Sequence, residues 1–236
     1  MRFGGVLSKG ETAIQVGIDM DSITSDLFHM AKLVGKTGTV IGIDADPKNI
    51  ERARQRAHKY KSRIILINKA TFSKKGLMYM DIAKRASWNR LEVIAGERSE
   101  ENFTGERISI EADTIDNILY SINIPPDKIS HVSLTVNGAE YPTLLGMTRL
   151  LSKGSSRLSI GAVAGRSGEI GIINGVPDYQ TIANVLEKCG YKTEFKRFNK
   201  TIWNGFFKIY LFKEIVQGQR RTDEKLPGIV MARRSK

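Results

Sequence analysis

The sequence is short of the groups that staple or metallate small folds. Only one cysteine, Cys189, stands among 236 residues, so no intrachain disulfide can form. The three histidines, His29, His58 and His131, lack metal-ligand spacing, and no metal site is expected. No apolar run approaches the roughly 20 residues that a membrane span needs. Residues 1–9 lack the apolar core of a secretion signal. A disulfide scaffold, a zinc ribbon and a helical membrane protein are excluded on these grounds. The expectation is a soluble, cytoplasmic chain.

Two other signatures fail by a residue. Gly35-Lys36-Thr37 imitates the end of a P-loop, but Met30 stands where the loop needs its first glycine. Gly165-Arg166-Ser167-Gly168 is one residue short of a nucleophile elbow.

What is present is an ordinary globular balance, 41% hydrophobic and 26% charged. The length fits one large domain with helices on both faces of a sheet. We place that domain at residues 1–216, followed by a basic tail at 217–236. Short apolar runs alternate with amphipathic stretches. Thr12–Val16, Thr39–Ile43 and Ile64–Asn68 read as buried strands, with helical spacing at Ser22–Val34 and from Pro47 to Tyr60 between them. Asp46 is a candidate N-cap and Pro47 suits the first helical turn. Strands separated by helices imply a parallel, doubly wound α/β sheet with right-handed crossovers.

Residues 71–110 break the rhythm: short β-like pieces around Leu77–Met80 and Leu91–Ile94 sit among polar loops and read as an irregular insertion near the carboxyl edge of the sheet. Alternation resumes with a helix at Thr114–Ile122, a strand at Val132–Val136, a helix at Tyr141–Leu151, a strand at Arg157–Val163 and a helix at Tyr179–Cys189. Lys192–Phe198 and Phe206–Phe212 then read as an antiparallel pair.

The turn after the first strand, Gln15-Val16-Gly17-Ile18-Asp19-Met20-Asp21, is the first ligand candidate. Ligands of open parallel sheets bind outside the carboxyl ends of strands, where strand order reverses. Gly17 lets backbone approach a ligand, although one glycine is not a G-x-G-x-x-G fingerprint. Asp44 ends the second strand, where a carboxylate can accept both hydroxyls of a ribose. Its alternative task, capping the next helix, falls more naturally to Asp46.

Taken in order, Gly10-Glu11-Thr12-Ala13-Ile14-Gln15-Val16-Gly17, Ile41-Gly42-Ile43-Asp44-Ala45-Asp46-Pro47, Thr114-Ile115-Asp116 and Val136-Asn137-Gly138-Ala139-Glu140 resemble the motifs of FkbM-family methyltransferases. The resemblance runs from about Leu7 to Ile160. It implies a Rossmann-like class I methyltransferase sheet, mostly parallel with an antiparallel last strand. It also implies S-adenosylmethionine as cofactor and methyl transfer, most naturally to oxygen. On that basis Gln15, Gly17, Asp19, Asp44, Asn68 and Ala70 are the cofactor-binding candidates.

The family usually has an acid where Gln15 stands and a glycine where Asp21 stands. Its fourth-strand motif normally carries ionisable side chains where Ser133, Thr135 and Asn137 stand here, while Glu140 matches. A hydroxyl acceptor gains from a nearby base. The remaining base candidates are His131, Glu140 and Asp19, with His131 and Glu140 as the catalytic pair. Each has an ordinary alternative: His131 as a packed strand residue, Glu140 as a cap for the helix beginning at Tyr141. The neutral replacements also allow a second class of function, a non-catalytic methyltransferase-like subunit of a larger, RNA-containing assembly.

The net charge of +12 is unevenly spread. Residues 48–75 carry ten basic side chains and one acidic, and residues 187–236 carry thirteen and five. If Arg52–Arg63 and Lys196–Lys236 form one surface, an anionic partner such as RNA is expected. The alternative is a solvated helix face and a free tail. The methyl acceptor is unknown.

Overall fold

The structure is a computed structural model that describes residues 7–20, 25–85, 88–94, 102–165, 171–197 and 228–234. Its first half follows the apolar pattern. The strand Thr12–Val16 (β1) leads to the helix Asp26–Val34 (α1), the strand Thr39–Asp44 (β2), the helix Pro47–Ala57 (α2) and the strand Arg63–Asn68 (β3). Asp46 caps α2 by accepting from the Lys48 amide at 2.8 Å, with Pro47 in the first turn, as the sequence suggests.

The insertion is more regular than its sequence implies. Ala70–Thr71 (β4), Gly76–Ala83 (β5), Arg90–Leu91 (β6) and Phe103–Asp113 (β7) form a separate four-stranded sheet in the order β4-β7-β5-β6. The longest strand, β7, was not anticipated. Four of its eleven residues are charged and only its last few are buried, so its alternation is weak on the solvent side. Met78, Met80, Leu91, Ile110 and Ala112 pack with Ala139, and with Ala45, Phe72 and Val136 from the loops of the main domain. The small sheet therefore lies over the carboxyl edge of the large one.

The chain then runs through the helix Ile115–Ser121 (α3), the strand Ile129–Leu134 (β8), the helices Glu140–Leu145 (α4) and Thr148–Lys153 (α5), and the strand Ser159–Ala164 (β9). A single helix over Tyr141–Leu151 was expected. It is broken at Gly146, where an added Cβ would stand 2.1 Å from the Phe72 carbonyl oxygen. Asp116 supplies the second helix with its cap, accepting from the Arg149 and Leu150 amides at 2.7 and 2.9 Å. After a hairpin, Ile172–Ile173 (β10) and Val176–Pro177 (β11), come the helix Asp178–Lys188 (α6) and the strands Tyr191–Arg197 (β12) and Gly228–Arg234 (β13).

The main sheet has the order β12-β13-β9-β8-β1-β2-β3. All its pairings are parallel except those of β13, which runs antiparallel to both β12 and β9. This is the doubly wound sheet with an antiparallel last strand. Its position in the chain differs from expectation. Phe206–Phe212 lies outside the described residues, and the antiparallel strand comes from the stretch read as a basic tail. Arginines and lysines dominate that composition and hide a four-residue apolar run, Ile229–Ala232. Val230 and Ala232 are buried. Arg234 gives its guanidinium to the carbonyls of Leu151, Ser152 and Gly154 at the end of α5.

Cores fill both faces. Ile14, Val16, Ile41 and Ile43 pack with α3 to α6, while Ala13 and Val40 pack with Leu27, Met30, Val34 and Ile50 of α1 and α2. Every residue of β8 and β9 is buried, as expected of strands covered on both faces, even though Ser130, His131 and Ser133 interrupt the apolar run of β8. Among the described residues no helix is long and apolar enough to cross a membrane.

Candidate functional site at the carboxyl edge

From β1 the chain steps to β2 and β3 on one side, then returns with β8 on the other. Strand order thus reverses between β1 and β8, which is where an open α/β sheet leaves a crevice. Gln15, Gly17, Thr135 and Asp44 meet there.

Gln15 is buried at the end of β1. Its Nε2 donates to the Gly17 carbonyl at 2.8 Å, the Val16 carbonyl at 3.2 Å and Thr135 Oγ1 at 2.9 Å. Two carbonyl oxygens at one end of the amide fix which atom is nitrogen. The other end, Oε1, is buried with no hydrogen-bond partner among the described residues. Thr135 also holds the turn, its amide donating to the Val16 carbonyl at 2.9 Å.

Gly17 has φ +79°, and an added Cβ would lie 2.1 Å from the Thr135 carbonyl oxygen. The close approach that demands glycine is therefore that of the strand β8 backbone. A ligand is not needed to explain it.

Asp44 ties the second strand to this turn. Its Oδ2 accepts from the Ile18 amide at 2.5 Å and its Oδ1 from the Asp46 amide at 2.8 Å. The group is partly exposed. Desolvation pushes its carboxyl up to about 7, against the pull of those two amides. Asn49 Nδ2 also donates to Oδ1, at 3.5 Å, and a carboxylate has about four lone-pair sites, so acceptor capacity remains for a hydroxyl donor.

Asn68, at the end of β3, donates from Nδ2 to the carbonyls of Asp44 and Ala45 at 2.9 and 3.0 Å. It shapes the loop beside Asp44 and is exposed. Ala70 is buried within the small sheet, on β4, paired in register with Ala112. Asp19 is exposed at the same edge, one residue past Ile18.

The two catalytic candidates lie elsewhere in function. His131 is buried inside the sheet on β8, beside Ser159, with Nδ1 and the Ser159 hydroxyl 2.9 Å apart. Burial drives its pKa down to about 4, so the ring is neutral at physiological pH. It does not reach the crevice, because three more residues of the strand separate it from the edge at Leu134. Glu140 is fully buried, with Oε1 accepting from the Val136 amide at 2.9 Å and Oε2 from the Gly138 amide at 2.8 Å. Both oxygens hold the loop between β8 and α4.

One participant carried no sequence signal. Asn89, from the insertion, donates to Asp46 Oδ2 at 2.8 Å, and its carbonyl accepts from Asn137 Nδ2 at 2.9 Å. Asn137 itself has φ +51°, a conformation asparagine tolerates better than most residues. The Asp46–Asn89–Asn137 chain spans from the start of α2 to the loop after β8. Its partners lie 43 and 48 positions from Asn89, and nothing local marks it. Among the described residues no group of three or more His, Cys, Asp or Glu could hold a metal ion.

No protein-family model matches the chain. No curated protein matches it in sequence. Solved structures do. A protein described as an rRNA methylase from Clostridium thermocellum superposes with a TM-score of 0.51 at 12% identity, covering 100% of this chain and 92% of that one. A SAM-dependent methyltransferase from Aquifex aeolicus gives 0.43 at 13% identity, over 96% and 83% of the two chains. A SAM-dependent O-methyltransferase from Thermotoga maritima gives 0.43 at 10%, over 98% and 62%. The fold is that of the class I methyltransferases.

Proposed function

We propose that this chain is an S-adenosylmethionine-dependent methyltransferase of FkbM-like ancestry, acting on oxygen. The observation that carries the reading is Asp44, a partly exposed carboxyl with spare acceptor capacity, set beside a glycine turn at the switch point of a methyltransferase-type sheet. The donor set fits an adenosine ligand. Asp44 would take the ribose hydroxyls, Asn68 and Ala70 would border the base, and Gln15, Gly17 and Asp19 would border the remainder. When bound, S-adenosylmethionine supplies a methyl group on a positively charged sulfur.

The protein's own contribution is positioning, which serves an in-line displacement well. Among the three base candidates, Asp19 has the exposure and the place at the carboxyl edge to take a hydroxyl proton. Calorimetric titration with S-adenosylmethionine and its demethylated product tests the reading. Binding in the micromolar to millimolar range is expected. Asp44→Ala should weaken it by about 1.5–3 kcal/mol for each charge-assisted hydrogen bond lost. Absence of binding at millimolar ligand would end it.

A second reading is a non-catalytic methyltransferase-like subunit. What favours it is that Gln15, Thr135 and Asn137 are each engaged in hydrogen bonds within the fold. Such a subunit would bind neither ligand and would purify with a partner.

A further inference from the structure

The opposite, amino edge of the main sheet carries a feature that methyl transfer does not use. An open cavity of about 630 Å³ lies between the end of α1, the turn before β2 and the turn before β3. Five lysines line it, Lys9, Lys32, Lys36, Lys59 and Lys61, together with Tyr60, and no acidic residue does. All five are exposed. None lies within ion-pair distance of a carboxylate among the described residues. The nearest acid in sequence, Glu11, is taken up by Arg157 at 2.7 Å and by the Ser8 amide.

We propose that this cavity docks the phosphate backbone of a single-stranded nucleic acid. Lysines at helix C-termini have an ordinary use in offsetting the helix dipole, and α1 and α2 both end here. Two dipole ends amount to about −1 elementary charge. Five ammonium groups exceed that several-fold. The surplus is concentrated in a concavity, which focuses the field on an anion.

Among the described residues, no α-helix begins in the cavity lining, whose only helical start is the single 3-10 turn Gly35–Thr37. Flexible lysine stems around an open trough suit a strand that presents successive phosphates. Tyr60 gives the trough a rigid wall, its ring stacked on Phe28 at 4.7 Å between centroids. A charged groove bordered by an aromatic ring is the usual form of sequence-tolerant single-strand binding. Among the described residues, none of the exposed large hydrophobic side chains borders the cavity, so an inserting membrane surface has no anchor there.

Most of the second basic stretch, residues 198–227 and 235–236, lies outside the described residues. The described part of the second basic stretch, on β12 and β13, lies at the far side of the sheet from β3. At least four intervening strands, β9, β8, β1 and β2, at roughly 4.8 Å spacing, keep those residues apart from β3. Docking at the amino edge is independent of cofactor binding and is read by affinity alone.

The test is fluorescence anisotropy of the full chain with labelled oligouridylate of about 12 nucleotides, within the usual site size. Five neutralised phosphates give a slope of log affinity against log salt near −3.5, at roughly 0.7 per phosphate. Lys36→Gln with Lys61→Gln should bring the slope to about −2 and weaken binding several-fold at low salt. Lys192→Gln with Lys196→Gln removes the same charge from β12 and should leave both unchanged. Equal losses from the two pairs would overturn the site in favour of general charge. Equal affinity for polyglutamate of matched charge would overturn a nucleic acid in favour of an acidic protein. No binding at about 50 mM salt would overturn docking altogether.

Discussion

Gln15 and Thr135 meet across the point where the sheet reverses, the glutamine amide donating to the threonine hydroxyl at 2.9 Å. The same amide donates to the Val16 and Gly17 carbonyls. The two side chains are a matched neutral pair, so an acid introduced at one of them alone should do harm. In Gln15→Glu a carboxylate would face two carbonyl oxygens with nothing to donate. We expect a loss of about 1–3 kcal/mol in urea unfolding from unmet buried groups. Stability equal to the parent would show that the pairing contributes nothing.

Gly17→Ala tests the neighbouring contact. A Cβ at 2.1 Å from the Thr135 carbonyl oxygen forces the two strands apart, on a backbone with φ +79°. The conformation alone costs about 1–2 kcal/mol for a residue other than glycine, and the clash adds to it. The expected result is a lowered unfolding midpoint with or without cofactor. A loss of cofactor affinity at unchanged stability would return Gly17 to the ligand.

On the proposed function, Asp44 should make cofactor binding depend on pH. The carboxylate form would accept ribose hydroxyls, and its pKa near 7 leaves it largely protonated at pH 6. Affinity for S-adenosylmethionine should rise about tenfold from pH 6 to 8 as the group ionises. Binding near pH 6.5 should release a proton, seen as different heats in buffers of different ionisation enthalpy. Asp44→Asn should bind weakly with no pH dependence from this group. An unaltered profile in that variant would assign the dependence to another group.

These expectations also show where the sequence was readable. β1, β2 and α2 were, because two-sided burial writes continuous apolar runs and because Asp46-Pro47 is a local cap signal. Asp44 was legible from its place after a strand. β7 was not, since charges on its open face dilute the alternation that Ile108, Ile110 and Ala112 carry. β13 was hidden by flanking arginines whose charge is spent on helix carbonyls, as at Arg234. His131 and Glu140 had the right chemistry for a base, but only packing reveals that one lies within the sheet and the other is filled by two backbone amides.

Glu140→Gln separates a loop anchor from a base. Gln can accept one of the two amides, so the Gly138 or Val136 donor is left unmet in a buried place. A cost of about 1–3 kcal/mol is expected. Any fall in methyl transfer should come with loosened protection of the amides of residues 136–138 in hydrogen exchange. Lost activity with stability and protection intact would make Glu140 the base after all.

His131 and Asp44 pull the pH dependence of stability in opposite directions. His131 titrates near 4 in the fold, below the 6.5 of an unperturbed imidazole. Between those values the unfolded chain binds more protons, so this contribution is present above pH 6.5 and is lost as pH falls toward 4. Asp44 titrates near 7 in the fold, against 3.8 unperturbed. Here the folded chain binds more protons, so its contribution is full below pH 3.8 and is lost as pH rises toward 7. The windows overlap from about pH 4 to 6.5, and the two slopes offset each other. His131→Gln removes the rising slope. Its stability relative to the parent should fall with increasing pH across that window, by at most about 1.4 kcal/mol per unit. Asp44→Asn should show the opposite sign and a smaller slope, since Asp44 is partly open to solvent. The double variant should be nearly flat against the parent. Differences that do not change between pH 4.5 and 6.5 in either single variant would mean that neither group is shifted by the fold.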